Sequence, residues 1–277
     1  MRNMTEKTKT RIIVCLLALT LIAEFLPPLL KDERKNFFLS SSLPLFFGFI
    51  AFCILLNKEK SGLFKKPTNL LYLLPALIIA VDNFQFASYF AGKMQPVQAD
   101  FADWILFASY CLLTGLFEET VFRGTVFPLI AVRFEKNKKG LLKTVILSSV
   151  LFGVAHLFNL FAGAGATALL QACYSTLTGA LFAFVLIKTK NIVCCGAIHG
   201  LYNFCGLLFS KEQGLGAGVV FDFPTGLTMF IVSVLVAGFA IYSFIKYTEE
   251  ERVEFYDRLG FGINTTIDAV ENTKEKF

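Results

Sequence analysis

The chain reads as an all-α polytopic membrane protein with eight transmembrane helices. Its 277 residues are 55% hydrophobic and include 32 Phe, against roughly half apolar and more charge in soluble domains. Mean hydropathy is +0.63. A helical span needs about 20 mostly apolar residues, and eight stretches meet that length, near 11–30, 37–56, 69–91, 102–132, 141–161, 166–187, 191–209 and 219–246.

Taken in order, the first stretch follows Arg2, Lys7, Lys9 and Arg11, as a signal peptide would. Pro27-Pro28 stands where a small-residue cleavage site would be, so an uncleaved first helix is expected. The basic loop 57–69, with Pro67, should lie at the headgroups. The third stretch holds the polar knot Asp82-Asn83-x-Gln85, and the first holds Glu24; interhelical hydrogen bonding is the simplest role for both. The small residues 162–166 predict a tight turn. From 248 to 277 the chain is polar, a cytoplasmic tail after a membrane domain at 1–247.

Charge sets orientation. With both termini inside, 20 Lys and Arg fall in inside segments and five in outside loops, leaving Arg123 in the membrane. The positive-inside rule then favours N-in and C-in. The formal charge of +5 therefore reflects topology and not a nucleic-acid footprint. All seven cysteines fall in apolar stretches without a Cys-x-x-Cys. They read as buried free thiols, small hydrophobes and not a disulfide or zinc framework.

The informative residues are ionisable ones inside these spans, because such groups are costly in hydrocarbon unless paired or facing a wet cavity. Glu118, Glu119 and Arg123 occupy the fourth stretch, His156 the fifth and His199 the seventh, and the chain has only these two histidines. At 100° per residue, Glu119 and Arg123 share a face at ion-pair spacing. Glu118 points about 140° away from Arg123. Glu119 is thus the structural partner and Glu118 the free carboxylate, suited to act as a general base in a partly dry site. His199 and Asn203 also share a face and present two donors toward a developing oxyanion. His156, beside Glu118, would hold a water, with Asn159 placed to orient it. Gly153 and Gly196 each stand one turn before a histidine, which predicts close helix approach at both.

Two mechanisms fit this set. Glu118 can activate water directly, which needs no cofactor. Alternatively Glu118, His156 and His199 can bind zinc as a three-ligand catalytic site, with Glu119 as base. A serine mechanism lacks its Gly-x-Ser-x-Gly motif.

Glu118-Glu119-x-x-x-Arg123, Phe152-x-x-x-His156 and His199-x-x-x-Asn203 together resemble the three motifs of the CPBP intramembrane proteases, the CAAX prenyl endopeptidases and bacteriocin-processing (Abi-like) enzymes. The resemblance covers roughly 100–210. It implies that Glu118 and His156 activate water, that His199 and Asn203 stabilise the oxyanion, and that Glu119 and Arg123 support them. It implies an endopeptidase acting on a membrane-associated or lipid-modified (CAAX-like) substrate, in the plasma membrane if the cell is bacterial. Two rivals stay open: a catalytically idle immunity protein on the same fold, and a proton-coupled transporter, which would need interrupted helices in matching halves.

Overall fold

The computed structural model describes residues 6–23, 28–58, 61–94, 97–160, 167–210, 213–216 and 223–261, which are helical with connecting turns and, among the described residues, without strands. The helices are α1 (Glu6–Ala23), α2 (Glu33–Lys58), α3 (Leu74–Asp82), α4 (Phe86–Phe90), α5 (Phe101–Val121), α6 (Phe127–Ala131), α7 (Lys138–Ala155), α8 (Thr167–Thr189), α9 (Ile192–Leu207), α10 (Phe223–Ile245) and α11 (Glu249–Arg258). Glu24, residues 162–166 and the segment 262–277 lie outside the described residues.

Five helical segments are long and apolar enough to cross a bilayer: Glu33–Asn57, Phe101–Ala131, Lys138–Leu160, Ala168–Thr189 and Leu227–Ile245. The protein is an integral membrane protein on this ground. The other three expected spans take different forms. α1 opens with Glu6, Lys7, Lys9 and Arg11, which dilutes its apolar run. α9 has 16 residues, about 24 Å at 1.5 Å per residue, short of a bilayer's hydrocarbon core. It lies against α5, α3 and α8, so its backbone is enclosed by protein.

The third expected span is broken. A 3-10 turn at Leu70–Leu73 leads into α3, and α4 restarts after Gln85, whose φ of 61° is left-handed. A non-glycine residue rarely adopts that backbone, and it ends the helical ladder. The polar knot stands at the break. Asn83 Nδ2 donates to the Tyr202 carbonyl of α9 at 2.9 Å, so the expected interhelical bond exists.

α5 starts on a capping box, Asp100 accepting from Asp103 N while the Asp103 side chain accepts from Asp100 N. It continues through a wide π turn, Phe122–Val126, into α6. Pro128 in the first turn of α6 has no N–H for the Gly124 carbonyl and its ring crowds that carbonyl. A π turn just before it relieves the crowding. Thr125 Oγ1 donates to the Thr120 carbonyl at 3.3 Å within this turn.

The bundle is ordered by neighbour contacts: α1 on α2, α2 on α5, α5 on α9, α9 on α3 and α8, and α8 on α7. One apolar core gathers Phe127, Phe182, Ile192, Cys195, Ile198, Phe255 and Tyr256. A second, toward the start of α5, gathers Phe38, Phe107, Cys111 and Phe209. The seven cysteines are free, with Cys111 and Cys195 buried and Cys15 and Cys173 exposed on their helices. The polar segment after 248 does not begin as a solvated tail. α11 opens on a Thr248/Glu251 capping box and buries Arg252, Phe255 and Tyr256, because its apolar face completes the first core.

Candidate active site

α5 and α9 approach closely enough for their backbones to touch, and glycine is the reason. A Cβ on Gly115 would stand 2.4 Å from Gly200 N and 2.5 Å from Gly196 O; one on Gly196 would stand 2.9 Å from Leu116 Cα. Small residues at such spacing let membrane helices pack backbone to backbone. Gly153 does the same between α7 and α8, where a Cβ would meet Ala172 O at 2.5 Å. Both glycines singled out beside the histidines thus sit at close crossings.

This approach brings α5's charged turn against His199. Glu119 is fully buried and bridges two partners. Its Oε2 lies 3.2 Å from Arg123 Nε, and its Oε1 lies 3.0 Å from His199 Nδ1. A carboxylate held by Arg123 only accepts, so His199 donates from Nδ1. Arg123 is also fully buried. Its Nη2 donates to the Gly179 carbonyl of α8 at 2.6 Å, and its guanidinium lies over the Phe152 ring at 4.6 Å and the Phe182 ring at 5.9 Å. The Arg123–Glu119 approach is an ion-pair contact and not an aligned hydrogen bond, since Nε, Nη1 and Glu119 Oε2 have no hydrogen-bond partner among the described residues. Charge, more than hydrogen-bond geometry, holds these two groups together.

Glu118 turns the other way, as the helical angle predicts. Its side chain keeps 27% of its exposure, and its Oε2 stands 3.7 Å from His199 Nε2. That distance is beyond a direct hydrogen bond. Glu118 Oε2 is buried without a hydrogen-bond partner among the described residues. Glu118 Oε2 and His199 Nε2 can therefore share a third atom placed between them. The two ring nitrogens of His199 consequently face two different glutamates.

Aromatic rings set the imidazole planes. Phe182 stacks on His199 with centroids 4.5 Å apart, and Phe152 meets His199 edge-on at 5.9 Å and His156 at 4.9 Å. His156 sits at the C-terminal end of α7, where a 3-10 turn, His156–Leu160, begins. Its Nδ1 lies 2.9 Å from the Phe152 carbonyl. A carbonyl accepts, so Nδ1 donates and Nε2 is left as the ring atom for other chemistry. Asn159 does not orient His156 by any hydrogen bond among the described residues; its Nδ2 donates to Gln171 Oε1 on α8 at 2.7 Å. Asn203 lies one turn beyond His199 and is half-buried. The structure thus joins Glu118, Glu119, Arg123 and His199 by direct polar contacts. His156 reaches the same cluster through Phe152. Among the described residues no hydrogen bond or ion pair ties Asn203 to it.

The trio proposed for zinc fits poorly. Among the described residues no three His, Cys, Asp or Glu side chains gather as metal ligands. His199 Nε2 and Glu118 Oε2 face one another, and the Glu119 bond to Nδ1 is compatible with ligation through Nε2, but His156 does not gather with them as a third ligand among the described residues.

Local spacing in the sequence reveals the Glu119–Arg123 pair. The link from Glu119 to His199, the Gly179 carbonyl and the stacking of Phe182 come from α8 and α9, tens of residues away, and no spacing rule points to them.

Residues 100–205 match the family model described as Rce1-like, type II CAAX prenyl endopeptidase. The match runs from the cap of α5 to the end of α9 and contains every residue of the cluster. It supports the CPBP/CAAX protease family that the three motifs suggested. No curated protein and no solved structure matches the chain.

Proposed function

We propose, from a motif core of the Rce1-like type II CAAX endopeptidase kind, that this membrane protein hydrolyses a peptide bond in a membrane-associated or lipid-modified substrate. Prenylated CAAX-like peptides are the substrate class the family suggests. One observation carries the mechanism: the Glu118 oxygen that faces His199 Nε2 across 3.7 Å and has no hydrogen-bond partner among the described residues.

In this reading Glu118 removes a proton from a water as its oxygen attacks the scissile carbonyl carbon. His156, with its ring proton on Nδ1, accepts from that water at Nε2 and fixes its direction. Negative charge gathers on the carbonyl oxygen, where His199, in its imidazolium form with one proton on Nδ1 toward Glu119 and the other on Nε2, and the Asn203 amide serve as donors. Glu119 sets the His199 ring through its Nδ1 bond, and Arg123 neutralises Glu119. The C–N bond then breaks, and the proton held by Glu118 passes to the leaving amine. Burial of the cluster strengthens each of these interactions relative to water.

The test is cleavage by the purified protein in liposomes. Prenylated and unprenylated CAAX peptides are offered with and without a chelator, and the products are identified by mass. Hydrolysis that survives the chelator supports glutamate-activated water. Loss with chelator and rescue by zinc would replace this mechanism with a metal one.

A further inference from the structure

α11 lies outside the residues matched by the family model, yet it is tied to the α8–α9 turn and to α6, which adjoin the site helices α9 and α5. Lys188 and Lys190, at the turn from α8 to α9, are 2% and 1% exposed. A buried ammonium is costly unless paired. Lys188 Nζ lies 4.7 Å from the Tyr72 ring and 4.6 Å from the Tyr247 ring, and 3.6 Å from Glu251 of α11. Lys190 Nζ lies 3.0 Å from Glu254 of α11 and donates to Thr68 Oγ1 at 3.4 Å. Lys190 also takes a left-handed backbone, φ 52°, which a lysine rarely adopts, and α9 begins two residues later.

The same turn is sewn to the loop at 61–68. Thr68 N donates to Thr189 O at 2.9 Å, Ile192 N to Leu63 O at 3.0 Å, and Asn191 Nδ2 to Lys65 O at 2.8 Å. α11 bonds that loop in turn, Gly62 N donating to Arg258 O at 2.8 Å. Phe255 of α11 packs on Phe127 with centroids 5.9 Å apart, directly after the π turn that follows Glu118 and Glu119. His199 is seven residues into α9 from this knot, about 10 Å along its axis. The glycines at 115, 196 and 200 fix how near α5 and α9 lie, and Leu112 and Leu116 of α5 seat against Gly200 and Gly196. The knot adds a tether at the start of α9.

We infer that Lys190 and Glu254 form a positioning pair, through which α11 sets the axial register of α9 and hence the spacing of His199 from Glu118 and Glu119. The activity arm of the test rests on the hydrolase reading above; the spectroscopic arm does not.

With only two histidines in the chain, selective ¹⁵N labelling gives two sets of ring signals, and His199→Gln assigns them. Glu254→Lys is expected to move the His199 signals and leave those of His156 in place. It should lower kcat about tenfold with KM little changed, the scale of a displacement smaller than the ~1 Å that costs about 10²-fold. Glu254→Gln should give smaller changes of the same kind. The swap Lys190→Glu/Glu254→Lys should restore both readouts, which separates register from folding. A folded Glu254→Lys protein with unmoved His199 signals overturns the inference, as does a folded swap that restores neither. If the wild-type protein cleaves no peptide, the proposed reaction falls, while the His199 signals still decide the role of the pair.

Discussion

Gly115→Ala is a small change aimed at the α5–α9 crossing. The new Cβ would stand 2.4 Å from Gly200 N and 2.5 Å from Gly196 O. Both are main-chain atoms, so no side chain can swing aside. Ordinary contact begins near 3.4 Å, so the two helices must part by about 1 Å, an overpacking that costs about 1–3 kcal/mol. The same displacement stretches the 3.0 Å bond from His199 Nδ1 to Glu119 out of hydrogen-bond range. A misplacement of about 1 Å at a reacting centre lowers rate about 10²-fold. Gly115→Ala should therefore fold with a lowered Tm and lose about two orders of magnitude in kcat/KM. The assay is peptide cleavage in liposomes beside thermal unfolding in detergent. A folded variant with unchanged Tm and kcat/KM would refute backbone contact as the device that brings Glu119 to His199.

Two further outcomes follow from buried and exposed charge. Arg123→Leu leaves Glu119 buried without its counter-ion and should destabilise the protein by about 3–5 kcal/mol, read as a fall in Tm; Arg123→Lys should recover only part, because lysine cannot both reach the Gly179 carbonyl and lie flat on Phe152. At the start of α5, the Lys35 ammonium, 2.6 Å from Asp100, and the Asp103 N–H hold the Asp100 carboxyl below its ordinary value. A depressed folded pKa gives stability that is present above the unfolded value and lost as pH falls through the folded one. Acid should thus loosen this end of α5 only below the usual carboxylate range, and Lys35→Met should move that loss to higher pH, measured by amide hydrogen exchange at residues 101–105.

What the sequence made legible was local. Glu119 and Arg123 are one turn apart on one helix, so their pairing follows from helical geometry alone, as does the opposite aim of Glu118. Gly153 and Gly196 mark close crossings because a missing side chain matters only where another backbone arrives. The apolar runs gave five spans outright, and the segment from α5 through α6, Phe101–Ala131, runs within a residue of its expected limits. Long-range geometry was not legible. Glu119 meets His199 only because Gly115 faces Gly196 and Gly200 across a crossing that no periodicity encodes. Hydropathy counted residues 69–91 as one span because the knot Asp82-Asn83-x-Gln85 is short beside its apolar flanks; the left-handed backbone of Gln85 breaks the helix. The π turn comes from Pro128 acting one turn upstream. α11 looked like a solvated tail because its charges outnumber its apolar residues, yet Phe255 and Tyr256 are enough to dock it.

The proposed reaction stands on Glu118 as the base. The most direct measurement is the rate at which purified wild-type protein and Glu118→Gln cleave one prenylated peptide in the same liposomes, with folding of both verified by Tm. Glutamine keeps the size of the side chain and removes its basicity, so cleavage should drop to background while Tm holds. A folded Glu118→Gln protein that cleaves at the wild-type rate would contradict the account.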